Sequence, residues 1–239
     1  MKQDDQLALS VQLPDDETFD SFIGSTNVGS VELLQRFIGN PIKQNNLSSF
    51  YLFGIEGVGK SHLIHAVSNL ADSNGLSSLC LSAAELRSLP VNMLEGLESL
   101  DIICLDDVHL LSGDIVWQQA IFDLFNRLKE QGKKIVITGN QAVNELTLEL
   151  PDLISRLSWG LIAQIKPITD EEKMEAIQYR AQQRGFVIQD EVAKYLVNHY
   201  SRDMQALIDY LDTLDKRSIR EQRKITIPFI KQALSSNNH

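Results

Sequence analysis

Gly54-Ile55-Glu56-Gly57-Val58-Gly59-Lys60-Ser61 carries glycine at its first and sixth positions and ends in lysine and serine. That is the spacing G-x-x-x-x-G-K-[ST] of a phosphate-binding loop. Gly57 and Gly59 let the backbone amides turn inward toward phosphate oxygens. The reading predicts that Gly57, Val58, Gly59, Lys60, Ser61 and His62 hold a nucleoside di- or triphosphate. Lys60 neutralises the terminal phosphates and the Ser61 hydroxyl holds Mg²⁺. The alternative, a glycine-rich turn matching by chance, lacks the required context. Here the apolar run Phe50-Tyr51-Leu52-Phe53 reads as a buried strand before the loop, and a helical pattern follows from Ser61.

Outward from the loop, short apolar runs alternate with amphipathic helical patterns. This alternation is the signature of an α/β fold with a parallel sheet. Strands are expected at Leu79–Leu81, Asp101–Asp106, Ile135–Thr138 and Leu161–Ile165, which makes five with the first. Trp117, Ile121, Leu124, Phe125 and Leu128 recur at helical spacing, and Gly132 ends that helix. After Pro167 the pattern is helical only. Thr169-Asp170-Glu171-Glu172 is a capping box. Further helices run through Val192–Tyr200 and Met204–Leu214, and Pro228 suits the first turn of a last one. The expected organisation is a polar tail over 1–16, a nucleotide-binding α/β domain over 17–167 and a small helical domain over 168–239.

Asp106 and Asp107 end the third strand, at the sheet edge where ligands bind in such folds. Asp106 is then the Mg²⁺-organising acid. Asp107 stands where many hydrolases carry a glutamate that orients the attacking water. Aspartate is one methylene shorter, so slow hydrolysis is expected; a solvated loop start is the alternative. Asn140 follows the fourth strand at the same edge. Arg156 flanks an apolar face made by Leu153, Ile154 and Leu157, and spacing alone leaves it open as a surface arginine. Arg202 opens a helix, where the macrodipole disfavours a cation. Either Asp203 compensates it, or it reaches an anion across the domain boundary. The stretch from Lys216 to Lys224 mixes both signs and reads as a solvated face.

Composition narrows the class. The net charge is −10, and the 11 basic and 11 acidic residues from Ile168 onward balance, so the excess acid lies before it. An acidic body binds nucleic acid poorly by itself, since that affinity rests on neutralising phosphates; any DNA role is indirect. No run is apolar and long enough to span a bilayer. The start, Met1-Lys2-Gln3-Asp4-Asp5-Gln6, is not a secretory signal, and the two cysteines, Cys80 and Cys104, read as buried free thiols. A cytoplasmic location is expected.

The order of these features resembles the AAA+ family, and within it the clade of the bacterial replication initiator DnaA. The likeness rests on the Asp106-Asp107 pair, Ile137-Thr138-Gly139-Asn140, Ser155-Arg156-Leu157-Ser158-Trp159-Gly160-Leu161, Ser201-Arg202-Asp203-Met204 and the opening Glu17-Thr18-Phe19-Asp20-Ser21-Phe22. It covers about Asp16 to Leu234. It implies an AAA+ P-loop fold with a helical lid. It also implies Asn140 as first sensor, Arg156 as arginine finger and Arg202 as second sensor, with Phe22 and Ile23 as base contacts. DnaA continues into a DNA-binding helix-turn-helix domain, for which residues up to His239 leave no room. The chain is therefore expected to be similar to the Hda-type regulators of this clade. In these, an ADP-bound protein docked on the DNA sliding clamp stimulates hydrolysis of DnaA-bound ATP and so prevents re-initiation. Gln6-Leu7-Ala8-Leu9-Ser10 resembles the short peptides that bind the clamp, with leucines for an apolar pocket and glutamine for a polar notch. Ser10 stands where an aromatic is usual. Two other classes compete: an autonomous AAA+ ATPase such as an initiation factor or helicase loader, and a small-molecule P-loop kinase. Base preference, autonomous hydrolysis and a homodimer or higher oligomer stay open.

Overall fold

The computed structural model describes residues 17–39 and 47–234. Five parallel strands form one sheet: β1 (Ser49–Phe53), β2 (Ser78–Ser82), β3 (Ile102–Asp106), β4 (Lys134–Gly139) and β5 (Leu161–Gln164). Their spatial order is β2-β3-β4-β1-β5. The expected strands are all present, with ends shifted by one residue at most positions. Strand β1 lies between β4 and β5, pairing Tyr51 with Ile137 and with Ile162. The chain leaves β1 toward one edge of the sheet and returns to its other side in β5. Such a reversal opens a crevice at the carboxyl ends of the strands.

Both faces of the sheet are covered, which is why its strands read as continuous apolar runs. Alternation divides them between two cores. Tyr51, Ile103, Leu105, Ile135 and Ile137 point to one face. There they meet Ile121, Leu124, Phe125 and Leu128 of helix α4 (Ile115–Glu130). Phe50, Leu52, Ile102, Cys104 and Val136 point to the other. That face is covered by helix α1 (Val28–Gly39), through Leu34, Phe37 and Ile38, and by α2 (Lys60–Ser73). Helix α3 (Ala83–Leu86) and α5 (Pro151–Leu157) complete the first layer. Helix α1 is absent from the sequence reading. Cys104 is buried as expected, but Cys80 is only half-buried, because β2 is an edge strand of the sheet.

The third core is separate and wholly helical. It joins α6 (Asp170–Gln183), α7 (Asp190–His199), α8 (Met204–Glu221) and α9 (Ile227–Leu234). Ile177, Leu196, Leu207, Leu211, Leu214 and Phe229 fill it. Helix α6 opens with the capping box read from sequence: Thr169 accepts from the Glu172 amide, and Glu172 accepts from the Thr169 amide at 2.9 Å. In the stretch from Lys216 to Lys224, Glu221 takes both Arg217 and Arg223. No helix among the described residues is long and apolar enough to cross a membrane.

Candidate functional site

The loop after β1 lies at the sheet's carboxyl edge, and α2 starts from it at Lys60. Gly57 and Gly59 have φ of +78° and +95°, which L side chains rarely adopt. Each is also a close approach. A Cβ on Gly59 would stand 2.7 Å from the Phe22 ring, and one on Gly57 would stand 2.4 Å from Asp203 Oδ2. The Lys60 side chain is 7% exposed; its ammonium donates to the Ile55 carbonyl at 3.2 Å and lies 3.9 Å from Asp107 Oδ1. Ser61 is exposed on the first turn of α2.

Three polar groups from adjacent strands interlock beside the loop. Thr138, fully buried on β4, donates to Asp106 and accepts from the Asp107 amide at 2.8 Å. Asp107 is held left-handed, at φ 56°. For a residue with a side chain that costs on the order of 1 kcal/mol. From there Asp107 Oδ1 lies 3.9 Å from the Lys60 ammonium. Burial pushes the Asp107 carboxyl above its usual range, and the neighbouring Asp106 adds to this against the pull of Lys60 and His109. Burial likewise lowers His109.

Asp107 Oδ1, His109 Nδ1 and Asn140 Oδ1 are buried and lack a hydrogen-bond partner. All three residues line one cleft of about 660 Å³ together with Lys60, Glu56 and Gln164. Buried polar atoms are nearly always satisfied, so unpaired ones converging on a cleft fit a ligand or its hydration. The buried Lys60 cation beside the glycine loop fits a phosphate group. Ser61 and Asp106, one hydroxyl and one carboxylate, are oxygen donors of the kind Mg²⁺ takes.

The structure brings Phe22 to the loop and sets its ring edge-on to His62 at 5.3 Å. Ile23 is the next residue and is half-buried. Arg202 lies outside the cleft, 74% exposed, with its nearest carboxylate oxygen, on Asp170, 3.6 Å away. It precedes α8 instead of opening it; Asp203 is the N-cap, accepting from Ala206 at 2.9 Å. Asp203, read from sequence only as a compensating charge, is the lid residue that reaches the loop. Arg156 is not among the residues lining the cleft. It sits in the last turn of α5, over the rings of Trp159 and Phe122. Gln6, Leu7 and Leu9 lie outside the described residues.

The loop is joined to the lid by contacts that no local pattern announces. Arg180 of α6 is buried and donates to Nδ1 of His62 at 2.9 Å. Glu172 of α6 accepts from the Thr26 amide at 2.9 Å and from the Ser25 hydroxyl at 3.1 Å. Burial opposes its ionisation, but the amides of Thr169 and Thr26 and the nearby hydroxyls hold its pKa at about 2.

Residues 13–164 match the family model of the bacterial DnaA ATPase domain. The chain belongs to that family. Residues 170–234 match a second family model, described as the lid domain of Hda. Among solved structures, domain III of the replication initiation protein DnaA from Thermotoga maritima is 22% identical at a TM-score of 0.80, over 94% of this chain and 98% of that one. AMPPCP-bound DnaA from Aquifex aeolicus is 23% identical at 0.68, over 89% and 71%. The RuvB Holliday junction branch migration motor of Thermotoga maritima is 17% identical at 0.65, over 95% and 73%. These likenesses place the fold among AAA+ proteins, as the loop and the strand order foreshadow.

Proposed function

We propose that this DnaA-family chain is a nucleotide-bound regulator that completes the active site of a partner DnaA and accelerates hydrolysis of the ATP held there. The observation that carries this reading is the position of Arg156. Its guanidinium has no carboxylate partner among the described residues and lies outside the chain's own cleft. An arginine left uncompensated on a surface beside a nucleotide fold is available to a phosphate on another subunit. There it stabilises charge developing in the transition state, worth on the order of 10³–10⁵ in rate.

The chain's own cleft holds nucleotide, with ADP as the working state. Loop amides and Lys60 bind the phosphates, Phe22 and Ile23 border the base, and Asn140 senses the terminal phosphate; Arg202, which lies outside the cleft here, would act as second sensor from the lid. Ser61 and Asp106 would hold Mg²⁺, which neutralises phosphate charge when bound. Asp107 is shorter than a glutamate and is held toward Lys60, so autonomous hydrolysis is slow. Gln6, Leu7 and Leu9 dock the chain on the DNA polymerase III sliding clamp (the beta subunit), and contact with DNA is indirect. The physiological outcome is inhibition of repeated replication initiation.

The unpaired Asp107 and Asn140 oxygens favour a second reading, an autonomous ATPase acting as a DnaA-like initiation factor or helicase loader. Single-turnover hydrolysis separates the two. The regulator accelerates loss of DnaA-bound ATP and turns over little alone. An ATPase turns over alone and leaves DnaA unaffected.

A further inference from the structure

The Arg156 guanidinium carbon lies 4.2 Å from the centroid of the Trp159 ring and 5.7 Å from that of Phe122 on α4. The local backbone makes the first contact. Trp159 donates its amide to the Arg156 carbonyl at 3.1 Å, the turn that ends α5, and so sets the two side chains side by side. The next residue pins this turn to the sheet: a Cβ on Gly160 would stand 2.2 Å from the Ser49 carbonyl oxygen. Trp159 is nevertheless 55% exposed. Lys129 of α4 also lies over its ring, 4.1 Å from the centroid. The indole is thus held by its backbone and flanked by two cations, with much of it open to solvent.

A guanidinium resting on an aromatic face is restrained without being consumed. Stacking uses the flat face and leaves the in-plane N–H groups free to donate. A carboxylate partner would take those donors and cancel the charge. An unrestrained arginine would lose side-chain entropy on meeting its target, which slows the step it assists. We propose that Trp159 is a positioning residue for Arg156, holding the guanidinium ready for an anionic phosphate on a partner subunit. The proposal rests on the trans role given to Arg156. It adds that the aromatic face, and not a salt bridge, sets that arginine's geometry.

Cation–π contacts are worth about 0.5–2 kcal/mol, the upper end applying when desolvated. Losing the ring therefore lowers the rate at saturating protein roughly 2- to 30-fold, with half-saturation changing much less. The test uses the full chain with DNA-loaded clamp and ATP-bound DnaA, comparing Trp159→Leu, Trp159→Phe and Arg156→Ala. Trp159→Leu should lose rate, and Trp159→Phe should restore most of it because it keeps a π face. A normal rate in Trp159→Leu, or equal losses in Leu and Phe variants, overturns the proposal while a strong Arg156→Ala defect leaves the trans role standing. No defect in Arg156→Ala overturns the trans role and the positioning role with it. The contact has its own readout. Trp117 is buried, so acrylamide quenching reports mainly on Trp159. Arg156→Ala should raise quenching by uncovering the ring; unchanged quenching overturns the contact whatever the kinetics show.

Discussion

The Arg180 guanidinium of lid helix α6 donates to Nδ1 of His62 at 2.9 Å, one residue past the serine of the phosphate loop. His62 in turn bonds through Nε2 to the Thr18 carbonyl at 2.8 Å. One imidazole therefore ties the lid, the loop helix and the opening segment together. Arg180→Met removes a buried charge from that junction and strands its partners. Leaving the half-buried His62 acceptor unsatisfied costs about 1–3 kcal/mol. A loss of unfolding free energy of that order is expected in urea titration, read as a lower midpoint at unchanged slope; an unchanged midpoint would show that the junction contributes nothing to stability.

The same segment carries a pH-sensitive pair. Glu17 accepts from His65. Burial opposes ionisation of Glu17, but the His65 hydrogen bond and the charges of His65 and Arg180 hold its carboxyl below the usual value. The bond to Glu17 raises His65 above its ordinary value against burial. A lowered carboxyl contributes stability above its unfolded pKa, and loses it as pH falls through the folded value. A raised histidine contributes fully below about pH 6.5 and loses that as pH rises through its folded value. The pair therefore stabilises most between the two. Urea midpoints across that range should fall on both sides in the wild type, and Glu17→Gln should flatten both limbs. Parallel curves would refute the pairing.

Gly59→Ala places a methyl in a left-handed position, against the Phe22 ring. The substitution strains the loop and displaces a residue assigned to the base. Calorimetric titration with ADP should show at least a tenfold weaker affinity (about 1.4 kcal/mol), and the strain should lower the melting temperature of the nucleotide-free protein by about 2–4 °C. Lys60→Ala should lose retained nucleotide outright. Wild-type affinity in either variant would sink the loop assignment.

Much of this architecture is legible in the sequence. The phosphate loop is written in its glycine spacing, the five strands in continuous apolar runs of a sheet covered on both faces, and α4 in its helical apolar period. Helix α1 escapes that reading. Its Gly29 and Gly39 weaken the helical signal, and Leu34, Phe37 and Ile38 make only a short apolar face. The site is legible where it sits at strand ends, as with Asp106, Asp107 and Asn140. It is not legible where remote segments meet. The contacts of Arg180 with His62, Glu172 with Thr26 and Asp203 with Gly57 each join positions more than 100 residues apart, and none of the partners signals the other.

The tail makes a separate prediction. Gln6→Ala combined with Leu7→Ala removes the glutamine and a leucine assigned to the clamp's notch and pocket. Surface plasmon resonance against immobilised clamp should show lost binding, with circular dichroism unchanged. Equal affinity for the clamp would place its docking surface elsewhere.

The most direct test of the trans mechanism is single-turnover hydrolysis of radiolabelled ATP bound to DnaA, with DNA-loaded clamp and either wild-type protein or Arg156→Ala. The account predicts that Arg156→Ala stays folded, retains its own nucleotide and binds clamp, yet loses acceleration by on the order of 10³-fold or down to the unstimulated rate. Arg156→Lys should not rescue it, since lysine lacks the planar fork. Normal acceleration by Arg156→Ala, or loss of the variant's own nucleotide, would contradict the account.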